Sequence, residues 1–180
     1  MAKARTGRKI AIALLLAWTS FAFAQKQSPK PKLALQIRTN KPTCRMTEGL
    51  KLDLEFVNLG SDSILLFRQL GSGVGRLNLR VFDERGNEVV PQFLADELPP
   101  PPRDKSDFER IGKNERFRTQ LSDSFQNVLN RPGVYDLVVE YTSTIGEDWA
   151  RRYLRLPVKQ LWTRECRTTV SNRIRITLTN

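Results

Sequence analysis

The chain has 180 residues, 30 Lys and Arg against 19 Asp and Glu, a formal charge of +11, no histidine and two cysteines. Without histidine, Ser-His-Asp and Cys-His catalysis and every histidine metal site are excluded, and two cysteines cannot build a four-thiolate zinc or iron–sulfur centre. With 39% hydrophobic and 27% charged residues, the composition is that of a globular chain and the length that of one domain.

Lys3, Arg5, Arg8 and Lys9 precede an apolar run from Ile10 to Trp18, and Ala22-Phe23-Ala24 follows. These are the three parts of a secretory signal, with small residues at both positions that determine cleavage. The uncharged stretch 10–24 is 15 residues, shorter than the roughly 20 a transmembrane helix needs. A signal peptide over 1–24, cleaved after Ala24, is therefore expected instead of a retained anchor, giving a periplasmic or secreted protein with no transmembrane segment after cleavage. Residues 25–32, rich in Lys, Pro, Gln and Ser, read as a linker that can bury no face. The domain is expected over 33–180.

Along the domain the apolar residues recur every second position. Leu33, Leu35 and Ile37 begin the pattern, and Leu50, Leu52, Leu54 and Phe56 alternate with Lys51, Asp53, Glu55 and Val57. That is the signature of half-buried strands. Further strands are expected over 64–68, 77–82, 88–90, 115–120, 134–142, 153–158 and 173–179. Turn chemistry separates several of them, at 58–62, 71–75, 83–87 and 131–133, where Gly, Asn, Asp and Pro supply turn dihedrals. Only 122–130 has helical spacing, with Phe125, Val128 and Leu129 at i, i+3 and i+4. Eight or nine short strands with frequent turns predict a single all-β antiparallel sandwich, with a small barrel as the alternative.

Cys44 and Cys166 are the only thiols. In an exported chain an even count usually means a disulfide, so a Cys44–Cys166 bridge is expected, the competing reading being two free buried thiols. Pro99–Pro102 must run as an extended polyproline segment. It is either a stiff connection between sheets or an exposed docking loop.

The stretch Phe108-Glu109-Arg110-Ile111-Gly112-Lys113-Asn114-Glu115-Arg116-Phe117, then Leu121-Ser122-Asp123 and Phe125, then Arg131-Pro132-Gly133-Val134-Tyr135-Asp136-Leu137-Val138-Val139-Glu140-Tyr141, resembles the second half of bacterial exported immunoglobulin-like domains. The ending Trp162, then Ser171-Asn172-Arg173-Ile174-Arg175-Ile176, is similar to the way such domains close. The resemblance implies an immunoglobulin-like sandwich in which Tyr135 is placed like a tyrosine corner, its hydroxyl bonding upstream backbone. The cysteines depart from the antibody pattern, and Phe56 with Leu137 or Val139 would fill the core instead. The fold hosts many functions and assigns none.

The chemistry-bearing motifs mostly resolve into structure. Gly71-Ser72-Gly73-Val74-Gly75 lacks the Lys-Ser/Thr and the following helix of a phosphate-binding loop. Asp83, Glu84, Asn87 and Glu88 lack EF-hand spacing and read as a turn. No enzyme, cofactor or metal is expected. Charge is the uneven feature. Residues 25–148 hold 18 cations and 18 carboxylates, whereas 149–180 hold eight cations and one carboxylate. Arg151, Arg152, Arg155, Arg173 and Arg175 are the candidate anion-binding residues. Arg173 and Arg175 are expected to point outward from the last strand beside Arg155 on the preceding one, forming a basic stripe. Arginine suits bidentate recognition of carboxylate, phosphate or sulfate. The expected partners are anionic polysaccharide, lipid headgroups or an acidic protein surface, and nucleic acid is disfavoured by export; the bland alternative is a set of solvated, edge-protecting charges. The expected function is a non-catalytic exported binding module, and the alternative is a peptidase inhibitor presenting a rigid Pro-rich loop over 98–105.

Overall fold

The computed structural model describes residues 32–48, 50–71, 75–89, 102–123, 129, 131–166 and 168–180. The expected signal peptide, most of the linker, Pro99–Pro101 and most of the expected helix over 122–130 lie outside these residues; Ser122 and Asp123 close a strand.

Twelve strands are present among the described residues, several of them pairings of only two or three residues. One sheet has the order β1 (Leu33–Arg38), β3 (Leu50–Asn58), β9 (Arg116–Asp123). The other runs β2 (Thr43–Arg45), β12 (Ile174–Thr179), β10 (Gly133–Ser143), β6 (Gly75–Phe82), β5 (Leu70–Gly71), with β7 (Glu88–Val89) on β6 and β11 (Thr169–Val170) on β10. The chain crosses between sheets directly after β1, so that β2 lies parallel to β12. This is an all-β sandwich with the connectivity of an immunoglobulin-like domain.

The alternation seen in the sequence is the alternation of burial. Leu52, Leu54 and Phe56 from β3 meet Leu137, Val139, Tyr141 and Ile176 from β10 and β12 in one core, because successive strand side chains point to opposite faces. Phe56 meets Tyr141 edge-on, with ring centroids 5.2 Å apart. The Tyr135 hydroxyl donates to the carbonyl of Arg131 at 3.0 Å, pinning the turn that leads into β10. Trp162 is buried in the same core.

The sandwich carries a second core. β4 (Ile64–Phe67) pairs with β8 (Phe108–Ile111) and is buried along its whole length. Its two faces serve two clusters: Ile64 and Leu66 belong to the main core, while Leu65 and Phe67 join Phe108, Ile145, Ala150, Leu156 and Leu161. A strand covered on both faces reads as a continuous apolar run instead of an alternating one. The β3–β9 ribbon bends into the β4–β8 ribbon at Asn58, which is fully buried. Its side-chain amide donates to the carbonyls of Asp62 and Ile111 at 2.7 and 3.0 Å and accepts from the Gly60 N–H at 2.8 Å.

The expected Cys44–Cys166 bridge is not formed: both thiols are free. Cys44 stands opposite Leu178, which stands opposite Gly133 at the start of β10. Cys166 lies beyond the other end of that strand, where Thr169 pairs with Tyr141 and the Arg164 N–H bonds the Ile145 carbonyl. Eight strand residues put these ends roughly 25 Å apart, whereas a disulfide needs Cα atoms within about 7 Å. Burial and the nearby Glu48 carboxylate push the Cys44 thiol above its ordinary pKa, which leaves it unreactive at neutral pH. Reductant should therefore leave the thermal midpoint unchanged within about 1 °C, whereas loss of a domain-spanning bridge would lower it by many degrees. A thiol titration before and after denaturation checks the same point, with Cys44 reacting only in the unfolded chain.

Candidate functional site

Residues 144–166 leave β10, cross the second core and return to the sheet, with the Trp162 N–H bonding the Leu65 carbonyl at 3.0 Å. A strand was expected over 153–158. The structure instead has a helical turn, α1 (Glu147–Trp149), continuing directly into a π turn (Ala150–Leu154). Ala150 and Leu154 lie four apart and pack on the second core, and Trp149 and Tyr153, also four apart, bring their rings to 5.6 Å. Residues four apart touch on a helix, whereas along a strand they share a face but stand about 13 Å apart. Acidic Glu147 and Asp148 occupy the first turn and Arg151 and Arg152 the last, the distribution that the helix dipole favours. Arg155, left-handed at φ 51°, ends the turn, and Pro157 follows.

Arg151, Arg152 and Arg155 are exposed on this turn, as is Lys159 just beyond it. None of the four has an ion pair among the described residues, and 150–160 contains no Asp or Glu. Tyr153 is 62% exposed, so an aromatic ring stands among them.

Arg173 and Arg175 are placed differently, and the continuous basic stripe is not formed. Both converge on Asp136, at 3.7 and 2.8 Å; the second contact is bidentate, and the Arg173 guanidinium also lies 4.9 Å from the Phe82 ring centroid. On the same face Arg80 is held by Glu88 and Glu140 at 2.8 and 3.0 Å. Three cations thus answer three carboxylates on the outer face of the β6–β10–β12 sheet. Periodicity correctly orients such side chains, but it carries no information on which strand lies alongside, and the adjacent strand supplies the counter-charge. The cross-strand register Asp136↔Arg175 decides the matter.

The Arg175 hydrogen bond, followed by the charges of Arg175 and Arg173, holds the Asp136 carboxyl below the ordinary carboxylate pKa. Its folded pKa is depressed, so its contribution to stability is present above the unfolded value, about 3.9, and is lost as pH falls through the lower folded value. Thermal midpoints measured from pH 6 to pH 2 should show the acid-side decline becoming shallower in Asp136→Asn than in the wild type. Equal slopes would show that the pair contributes nothing.

Two of the depressions among the described residues compete as binding sites. The wider, about 540 Å³, lies on the outer face of the first sheet and includes Arg38, Asp53, Glu55, Arg118 and Gln120. Its carboxylates are already engaged: Glu55 accepts from Arg116 and Arg118, both at 2.7 Å, and Asp53 from Gln120 at 2.9 Å. The other, about 470 Å³, adjoins the helical turn and includes Trp149, Asp148 and Arg164. The Gly86 turn expected over 83–87 closes on itself, Asp83 accepting from Arg85 and Asn87. Among the described residues no group of three or more Cys, Asp or Glu could hold a metal ion, and no helix is long and apolar enough to cross a membrane.

The fold and this surface define an all-β, immunoglobulin-like sandwich with a second core and a cationic turn. A scan against protein-family models matches none, and no curated protein matches the chain in sequence. Among solved structures, the chain is similar to the CARDB domain of the PF1109 protein from Pyrococcus furiosus, crystallised in complex with di-metal ions. It is 11% identical over 87% of this chain and 98% of that one, with a TM-score of 0.37. The solution structure of the same domain gives 11% identity over 84% and 98%, with a TM-score of 0.38. A β-glucosidase from Erythrobacter marinus is 12% identical over 83% of this chain but only 16% of its own, with a TM-score of 0.36. At these values the similarity assigns neither ligand nor activity.

Proposed function

We propose that this chain is a non-catalytic binding module, exported by way of the signal-like residues 1–24, that contacts an anionic partner through Arg151, Arg152 and Arg155. One observation carries the reading: these cations and Lys159 crowd an exposed turn with no carboxylate in 150–160, whereas the cations of the last strand are consumed by Asp136. Unpaired guanidinium forks on a surface are competent for bidentate contacts with carboxylate, phosphate or sulfate. The turn is anchored through Ala150 and Leu156 to a packed core, so little ordering entropy opposes binding. Binding of the protein to immobilised polyphosphate across a salt series tests this. The expected affinity falls as salt rises and is lost in the Arg151→Glu/Arg152→Glu/Arg155→Glu variant. Salt-independent binding, or binding that survives the triple change, would remove the reading.

A further inference from the structure

The cleft beside the cationic turn is concave and has an apolar floor. Pro102 and Ile145 are buried in it, and Trp149, partly buried against the second core, lines it while its ring contacts Tyr153. Arg164 reaches in from the returning chain, where its backbone N–H bonds the Ile145 carbonyl at 2.8 Å; its Nε is paired with Glu165 at 3.1 Å, and its two Nη groups are the donors left for a ligand. Gly146 permits that approach: a Cβ there would stand 3.1 Å from the Arg164 guanidinium carbon. Asp148 and Thr144, both exposed, also line it. The cleft therefore joins an aromatic surface, a planar donor and a planar acceptor over apolar walls, the pattern of a small-ligand site with few orienting polar groups.

This combination suits a sugar ring, whose C–H face packs on an indole while vicinal hydroxyls donate to a carboxylate and accept from a guanidinium. On the turn Arg152 lies three positions from Trp149 and Arg151 three from Asp148, both of which line the cleft, and side chains three apart are neighbours on a helix, so a polymer seated in the cleft continues onto them. A flat bilayer could meet the exposed Tyr153 but could not enter the concave cleft where Trp149 is partly buried. We infer that the cleft holds one ring of an acidic polysaccharide whose neighbouring acid groups meet Arg151, Arg152 and Arg155. This rests on the anion-binding reading above and adds to it the class of polymer.

The test compares three probes on the intact protein: alginate, a polyuronate; polyphosphate, a polyanion without sugar; and phosphatidylglycerol vesicles. Wild-type protein should bind alginate about tenfold tighter than polyphosphate. Trp149→Ala and Arg164→Ala should each remove about that tenfold advantage and leave polyphosphate binding unchanged; the exposed Arg164 keeps the test informative if the tryptophan variant unfolds. Alginate should also shift the tryptophan emission of the wild type. If alginate affinity is unchanged in Arg164→Ala and in a folded Trp149→Ala while the triple arginine variant loses both polyanions, the sugar inference is overturned and the anion-binding reading stands. Vesicle binding tighter than alginate binding would overturn it in favour of a membrane surface. Absence of binding to every probe by the wild type would remove both.

Discussion

Asn58→Ala is expected to lower the unfolding free energy by about 3–5 kcal/mol. The side chain is fully buried and makes three hydrogen bonds, to the Asp62 and Ile111 carbonyls and the Gly60 N–H. Alanine would strand those three backbone groups where the chain bends, and each unsatisfied buried group costs about 1–3 kcal/mol. The main chain of Asn58 bonds as well, its N–H to the Glu115 carbonyl and its carbonyl from the Asn114 N–H, so the corner ties five residues of two stretches, 60–62 and 111–115, at one residue. Urea unfolding of the two proteins measures the difference; a loss below about 1 kcal/mol would show that water replaces the amide there. Because β4 follows directly and carries Leu65 and Phe67 into the second core, the helical turn should lose protection from hydrogen exchange before the main core does.

The second large effect is on binding. Reversing Arg151, Arg152 and Arg155 should weaken polyanion binding by about 100-fold or more, since hydrogen bonds to charged groups are worth about 1.5–3 kcal/mol each. All three are exposed and without an ion pair among the described residues, so the variant should melt within a few degrees of the wild type. Arg173→Ala/Arg175→Ala should do the opposite. Its polyanion affinity should change less than about twofold, whereas Asp136, with a side chain only 14% exposed, loses both cations and the fold loses stability. Isothermal titration together with thermal melts of both variants separates the two surfaces. Loss of binding in the last-strand variant alone would return the site to β12.

The strand pattern was legible because burial on one face imposes period two, and Leu52, Leu54, Phe56, Leu137 and Ile176 obey it wherever they pair. The helical turn was hidden although its spacing stood in the sequence: Trp149 with Tyr153, and Ala150 with Leu154, are both four apart, but Leu154, Leu156 and Val158 alternate with Tyr153 and Arg155 and so also admit an extended reading. Its apolar side chains gain their partners from β4 and β8, about 80 and 40 positions earlier, and no local window contains them. Asn58 likewise reads as ordinary turn chemistry before Gly60, with nothing local to show that Ile111 needs its amide.

By itself the sequence determined the class of fold, the strands that build the main core and the excess of cations after position 148, since these follow from alternation and composition. Only the tertiary structure decided which cations are available and whether the cysteines meet. Both depend on distances between segments far apart in the chain: β10 brings Asp136 to Arg175 and holds Cys44 and Cys166 at opposite ends of its length.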